Sequence, residues 1–425
     1  MESKKLGFWS IVLLGINGII GSGIFLLPNK AMAIIGPASL LVMLFDMLLV
    51  LAITFCFAEA GGLFKENGGA YIYAKEAFGD FVGYEVGFLS WATRIIAFAT
   101  MAVGFATALG GIIPALSSDM MKNVIVSVIF LVLAVINLLG IKLYEVIQNV
   151  ATIAKLLPFV LFIGIGIFYI EPANFTPLFP HGVYTPGSFG TAAVMLFFAF
   201  TGFESLGVAA AEMENPQKNL PKATLITIFT VSAIYILLLA CAIGIVGYEL
   251  ADTTAPVQAA FTRIAGAFGT TVVAAGTLIS IGALCIAASF VTPHCGLALA
   301  EQHMLPAFMA KRNRFGAPYW CIIISTVVAM LIGYSGGFAF LASISVVSRF
   351  SQYIPTCLSI MVFRKKMPDA PRAFKIPFGP VIPVIALIVS LWLLAQAKPQ
   401  QLMIGFGAAV IALPFYFLVH KKKQA

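Results

Sequence analysis

The sequence predicts an all-α polytopic membrane protein: twelve transmembrane helices, a five-plus-five inverted repeat, and broken helices 1 and 6. Three observations carry that expectation. Apolar side chains make up 61% of the 425 residues and charged ones only 10%, with a mean hydropathy of +1.02, outside the range of a soluble domain. Apolar runs long enough to cross about 30 Å of hydrocarbon recur along the whole chain. Two of those runs are interrupted at glycines, in Gly21-Ser22-Gly23 and in Thr201-Gly202-Phe203.

The first span, about residues 8–34, contains the earlier interruption and Pro28. A continuous membrane helix satisfies its own backbone, so opening one at mid-membrane exposes amides and carbonyls that are tolerated only where they line a cavity or hold a ligand. The second to fifth spans follow at about 38–64, 81–111, 120–140 and 143–170. The sixth, about 188–211, carries the later interruption, and the seventh to tenth lie near 223–248, 271–303, 318–335 and 338–363. Each interruption thus opens a block of five spans, 8–170 and 188–363, as two units of opposite topology would. Two more spans, within 380–420, stand outside the repeat. The longest polar stretches are loops near 65–80, 212–222, 304–317 and 364–379. No linker divides residues 1–425, so one transmembrane domain is expected.

Counting loops from a cytoplasmic start assigns eighteen cations inside, among them Lys4, Lys5, Lys65, Lys75, Lys142, Lys218, Lys222, Arg364, Arg372 and Lys421, against four outside, Lys30, Lys122, Arg263 and Lys398. That bias predicts both termini in the cytoplasm of a protein embedded in the lipid bilayer, with the plasma membrane as its expected location. The net charge of +8 is spread over several short loops with no aromatic-rich basic face, which excludes nucleic acid as a partner. The six cysteines fall in apolar segments without metal-ligand spacing, so packing is their expected role. No cofactor is implied.

At about 1.5 Å of rise per residue, Gly21, Arg94, Lys155, Glu204 and Arg349 all fall near the membrane midplane. A charge at that depth costs at least about 2.5–3.5 kcal/mol, so such residues face a partner or a watery cavity. Close packing through small residues is the alternative reading of Gly21, Ser22 and Gly23. If the helix is open there, its free amides suit a carboxylate, and carbonyls freed at Thr201 and Gly202 suit an ammonium group. An α-amino acid presents that pair of charges.

Glu204 is either a proton acceptor or the permanent ion-pair partner of Arg94. Arg94 can instead read a carboxylate on a ligand side chain through its planar fork of donors. Lys155, in Ala154-Lys155-Leu156-Leu157-Pro158, is either a coupling residue or a fixed charge tying helices together. Arg349 and Tyr353, one helical turn apart, suit a supporting polar network, and so does Asp46. Glu59 and Lys65 are expected to reach solvent at a helix end. Phe197, Phe198 and Phe203 flank the second interruption, where Phe198 and Phe203 are candidates to close over a ligand. His294, Glu301 and His303 lack the i, i+4 histidine pair of a helical metal site and read as a loop junction with no metal.

Ile20-Gly21-Ser22-Gly23-Ile24-Phe25 with Pro28 carries a resemblance, repeated at Phe200-Thr201-Gly202-Phe203-Glu204 followed by Asn215-Pro216 and Leu220-Pro221. Gly68-Gly69-Ala70-Tyr71 with Phe78-Gly79, and Phe374-Lys375-Ile376-Pro377 with Gly379, extend it over nearly the whole chain. In order and spacing these motifs resemble the amino acid, polyamine and organocation (APC) transporter superfamily, in its amino acid permease branch. The resemblance implies a central site between the first, third, sixth, eighth and tenth helices and transport by alternating access. It places Ile20, Gly21, Ser22, Gly23 and Ile24 around the substrate carboxylate, with Phe198, Thr201, Gly202 and Phe203 on the sixth helix.

Some members hold a lysine in the fifth helix where sodium-coupled relatives hold a cation between the first and eighth helices. Lys155 matches that lysine, implying sodium independence, with Ser289 as an eighth-helix neighbour. Glutamate after the sixth-helix break also recurs, which supports Glu204 as a proton-linked residue. Arg94 departs from the family pattern.

The expected function is therefore secondary transport of an amino acid, or a close amine or polyamine, coupled to protons or run as exchange. Neutral amino acids lead, with acidic ones next if Arg94 faces the cavity unpaired. A membrane-embedded enzyme would need a nucleophile and base or a metal set converging at one depth, which the sequence lacks. A channel fits poorly with broken helices that suit an occluding site.

Overall fold

A computed structural model describes residues 7–64, 69–140, 143–372 and 374–424. The expectations that named Lys4, Lys5, Lys65, Gly68 and Lys142 fall outside them. Among the described residues every regular element is helical.

The first apolar run is interrupted rather than one continuous helix. Helix α1 (Phe8–Ile19) stops where Ile20 turns extended (φ −68°, ψ 105°), Gly21 is extended too, and α2 (Ser22–Leu26) restarts the winding. Helix α3 (Pro28–Ile35) begins with proline, whose missing N–H costs nothing in a first turn. Next come α4 (Ser39–Gly61), α5 (Ala70–Phe78), α6 (Asp80–Ile112), α7 (Asp119–Leu138) and α8 (Leu143–Gly166). Helix α5 occupies a stretch expected to be loop. Its Tyr73 is buried against Phe57 and Phe64, so packing stabilises a segment whose polarity alone gave no helix signal.

The second interrupted run behaves like the first. Helix α9 (Ser188–Leu196) tightens into a 3-10 turn at Phe197–Phe200, breaks at Thr201 and Gly202, and resumes as a 3-10 segment, Phe203–Glu212. Helices α10 (Pro216–Val246), α11 (Pro256–Glu301), α12 (Tyr319–Tyr334), α13 (Phe338–Lys366), α14 (Val381–Ala395) and α15 (Pro399–Gln424) complete the chain. Helix α11 starts well before the expected residue 271 because a short leading piece joins it through Gly266, where φ is +56°.

Eight helical segments of the described residues are long and apolar enough to cross a membrane, and three apolar helices are shorter. Helix α13 has the length, but its serines, Arg349 and Gln352 lower its apolarity. The fold is thus that of an integral, polytopic, all-α membrane protein. Helices α7 and α15 leave most of their apolar surface uncovered, as helices facing lipid do, whereas the α1–α2 pair and the α9 segment are largely buried.

Two polar residues differ from expectation. Glu59 does not reach solvent: it is 1% exposed. Arg364 donates to it twice, Nε to Oε1 at 2.9 Å and Nη2 to Oε2 at 2.6 Å, Arg372 Nε lies 3.5 Å from Oε1, and the Ile376 amide donates at 2.8 Å. The segment after α13 folds over the end of α4 and converts an apparently terminal carboxylate into a buried anchor. Asp46 is fully buried on α4, and neither of its carboxyl oxygens has a hydrogen-bond partner among the described residues, so no polar network forms there.

Candidate functional site

The two interruptions meet backbone to backbone. A Cβ placed on Gly202 would strike the carbonyl oxygen of Gly18, and one placed on Gly23 would lie 2.8 Å from the Cα of Ala199. Only glycine permits this approach at Gly202, where φ is +118°. The small residues of each break therefore bring the opposite break into contact, which reconciles the open-helix and close-packing readings of Gly21-Ser22-Gly23.

Beside this junction lies a cavity of about 320 Å³. Its walls draw on some of the residues within 14–23 on α1–α2, on Arg94, Ala97 and Met101 on α6, on some within 198–206 around the second break and within 283–292 on α11, and on Arg349 on α13. Of the expected binding residues, Gly21, Ser22, Gly23, Arg94, Phe198, Thr201, Gly202, Glu204 and Arg349 line it. Ile20, Ile24, Phe203, Lys155 and Ser289 do not.

Each of these five residues has another place. Ile20 and Ile24 are buried in the core. Phe203 stacks on Tyr353 at 5.5 Å and meets Phe57 edge-on at 5.5 Å, a packing position away from the cavity. Ser289 accepts a hydrogen bond from Asn137 Nδ2 at 3.0 Å and donates to Ile286 O, so its partner lies on α7. Lys155 is fully buried behind the first break, where Nζ donates to the carbonyls of Asn17 at 2.9 Å and Ile20 at 3.2 Å. Tyr235 OH donates to the intervening Ile19 carbonyl at 3.4 Å. The acceptors released where α1 ends are thus met by side chains of α8 and α10.

Glu204 is paired with Arg349 rather than Arg94. Arg349 Nη1 donates to Glu204 Oε1, while Oε2 accepts from Tyr353 OH at 3.1 Å and from the Gly202 amide at 3.0 Å. Helix α13 packs against the 197–200 turn through Phe350 and Tyr353 on Phe197, which sets Arg349 and Tyr353 over the break. Arg94 belongs to a different wall. The Gly202 carbonyl, expected to be free for an ammonium group, accepts from both the amide (3.1 Å) and hydroxyl (2.5 Å) of Ser205.

Sequence reasoning passed over three contributors. Asn17 lines the cavity, and its Oδ1 has no partner among the described residues. Met101 Sδ accepts from Ser22 Oγ at 3.5 Å, tying α6 to the first break. Thr292 donates to the Arg94 carbonyl at 3.5 Å. Asn17 had a usable signal, a lone amide in an apolar helix one turn before the break; Met101 and Thr292 had none.

Of the histidine set, His294 lies inside α11 with Nδ1 2.7 Å from Phe290 O, and Glu301 pairs with Arg312 at 2.9 Å. No group of three potential metal ligands occurs among the described residues. All six cysteines are free thiols.

A cavity between interrupted helices, with charged side chains set in a largely apolar wall, is in a polytopic membrane protein the arrangement of a solute carrier. A family model for amino acid permeases matches residues 6–418, and the chain belongs to that family, within the APC superfamily. It is 31% identical over 417 residues to an uncharacterised transporter of Mycobacterium tuberculosis, covering 92% of this chain and 86% of that one. It is 26% identical to the branched-chain amino acid permease BcaP of Bacillus subtilis, over 99% of this chain and 93% of the relative. To the serine/threonine exchanger SteT of the same organism it is 27% identical, over 99% and 98%. The protein is a transporter, not an enzyme.

Proposed function

We propose that the chain is a secondary amino acid transporter that works by alternating access, without sodium, driven by protons or by exchange. The single observation behind this reading is the place of Lys155: its amine donates, at 2.9 and 3.2 Å, to carbonyls at the end of α1, and the resemblance implies that a lysine here stands in for the cation of sodium-coupled relatives. A lysine can supply that charge or withdraw it by losing a proton, which makes the α1–α2 break responsive to protonation. Glu204, tied through Oε2 to the Gly202 amide, is the second proton-linked candidate.

In this reading twelve spans form one domain, with repeats over about 8–170 and 188–363 and two further helices within 380–420. Both termini are cytoplasmic, as the cation bias implies. The substrate carboxylate meets the amides around Gly21, Ser22 and Gly23, and its ammonium meets Asn17 Oδ1, the acceptor without a partner.

Uptake of labelled amino acids into proteoliposomes in sodium-free buffer, with and without an inward proton gradient, tests the proposal. Gradient-stimulated uptake, or uptake that needs preloaded amino acid, is the expected result. No uptake under either condition rejects it.

A further inference from the structure

We infer that Arg94 makes this cavity selective for amino acids that carry a second, side-chain carboxylate, the class of aspartate and glutamate. The inference rests on the amino acid transporter reading and adds the substrate class.

The argument begins with the charges on the cavity wall. Among the described residues three charged side chains line it: Arg94, Arg349 and Glu204. Both oxygens of Glu204 are already engaged, Oε1 by Arg349 and Oε2 by Tyr353 and the Gly202 amide. No salt bridge to Arg94 is formed among the described residues. Arg94 and Arg349 line the same cavity, so two like charges share one compartment with a single, committed carboxylate among the described residues.

A zwitterionic substrate with a neutral side chain leaves that imbalance in place. A substrate with one more carboxylate removes it, and arginine binds a carboxylate through two parallel N–H donors, a geometry no neutral side chain reproduces. Met101 touches Ser22 at the first break, and Arg94 stands two turns before Met101 on α6, about 10 Å along the helix axis, on the wall of the same cavity.

The same charge explains exclusion. A lysine or arginine substrate would place a third cation beside Arg94 and Arg349, and like-charge juxtaposition is an effective means of rejection.

The test is exchange and uptake by the wild-type protein in proteoliposomes, using labelled L-glutamate, L-aspartate, L-glutamine and L-leucine, alongside Arg94→Gln. The expected result is saturable L-glutamate or L-aspartate transport that excess L-glutamine or L-leucine competes at least tenfold less well. Arg94→Gln should raise the half-saturation concentration for the acidic substrate at least tenfold and bring L-glutamine transport up to or above it. Wild-type transport of L-leucine or L-glutamine with no response to acidic amino acids overturns the substrate assignment while leaving the transporter reading intact. Transport of no amino acid overturns the transporter reading itself, and the assignment with it. Acidic transport unchanged by Arg94→Gln overturns the role of Arg94. If that variant fails to fold, the wild-type competition series decides the substrate class and Arg94→Lys, which keeps the charge but not the fork, decides the residue: weakened acidic transport supports its role and unchanged transport overturns it.

Discussion

Lys155 Nζ reaches two carbonyls on the far side of a helix boundary, Asn17 O at 2.9 Å and Ile20 O at 3.2 Å. One turn further along α8, Phe159 stacks on Phe25 of α2 with 4.7 Å between ring centroids. Helix α8 therefore grips the chain on both sides of Gly21, polar contact before it and aromatic contact after it. Loss of the amine would remove the first grip and spare the second, which makes this contact the one through which the proposed proton coupling would act.

Lys155→Ala should reduce proton-driven uptake by about tenfold or more, the equivalent of about 1.4 kcal/mol. Counterflow between equal amino acid pools should fall much less, because the cavity wall does not include Lys155. The variant should also melt earlier, since each buried carbonyl left without a donor costs about 1–3 kcal/mol. Comparison of gradient-driven uptake with counterflow checks the coupling role, and equal losses in both would reduce Lys155 to a structural post.

The Glu204–Arg349 pair predicts a different pattern. Removing one partner of a buried ion pair costs about 3–5 kcal/mol, while replacing both with neutral groups of similar shape costs far less. Arg349→Met alone should therefore destabilise the protein more than Arg349→Met combined with Glu204→Gln, as read from melting temperatures in detergent. Glu204→Gln should also flatten the dependence of uptake on pH. An unaltered pH profile would leave Glu204 as a brace for the Gly202 amide and nothing more.

These two predictions mark the boundary of what the sequence made legible. Apolar runs and glycine interruptions disclosed the helical membrane fold and the position of both breaks, because the bilayer allows few backbone solutions and a break in it is conspicuous. Midplane depth singled out Arg94, Lys155, Glu204 and Arg349, because charge there is costly. Pairing was not legible. Whether Glu204 meets Arg94 or Arg349 depends on the rotation of α6 and α13 about their axes, and apolar residues on all sides of a membrane helix hide that rotation. Glu59 was misjudged for a related reason: its partners Arg364, Arg372 and Ile376 lie more than three hundred residues away, in a segment that reads as a polar loop.

Gly202→Ala should abolish transport and lower stability. The substitution forces a non-glycine residue to φ +118° and drives its Cβ against the Gly18 carbonyl, and strain of this kind costs about 1–3 kcal/mol before any displacement of α1 is counted. Gly407→Ala is the matched control, because no atom lies within 4 Å of the Cβ it would add. Melting curves and uptake for the two variants separate the effect of contact between the breaks from the general effect of losing a glycine. Wild-type behaviour of Gly202→Ala would mean that the breaks need not touch.

Phe198 and Phe338 make the last testable element. Phe198 lines the cavity at the breaks, and Phe338 lines a second cavity of about 600 Å³, bordered by Lys30, Asp119, Lys122 and Asp252. The two rings meet edge to face, 5.8 Å between centroids, at the division between the compartments. Their other neighbours hold them in place: ring atoms of Phe338 lie 3.1 and 3.2 Å from where a Cβ on Gly104 would sit. An aromatic pair of this kind contributes about 0.5–1.5 kcal/mol beyond area burial, enough to bias a closed state and small enough to be overcome in each transport cycle. Phe198→Ala and Phe338→Ala should each speed the escape of preloaded substrate from proteoliposomes that lack external amino acid, and the double variant should leak no more than the faster single one, because both remove the same barrier. Additive leaks would instead point to two separate constrictions, and tight vesicles from all three variants would show that the pair is packing rather than a gate.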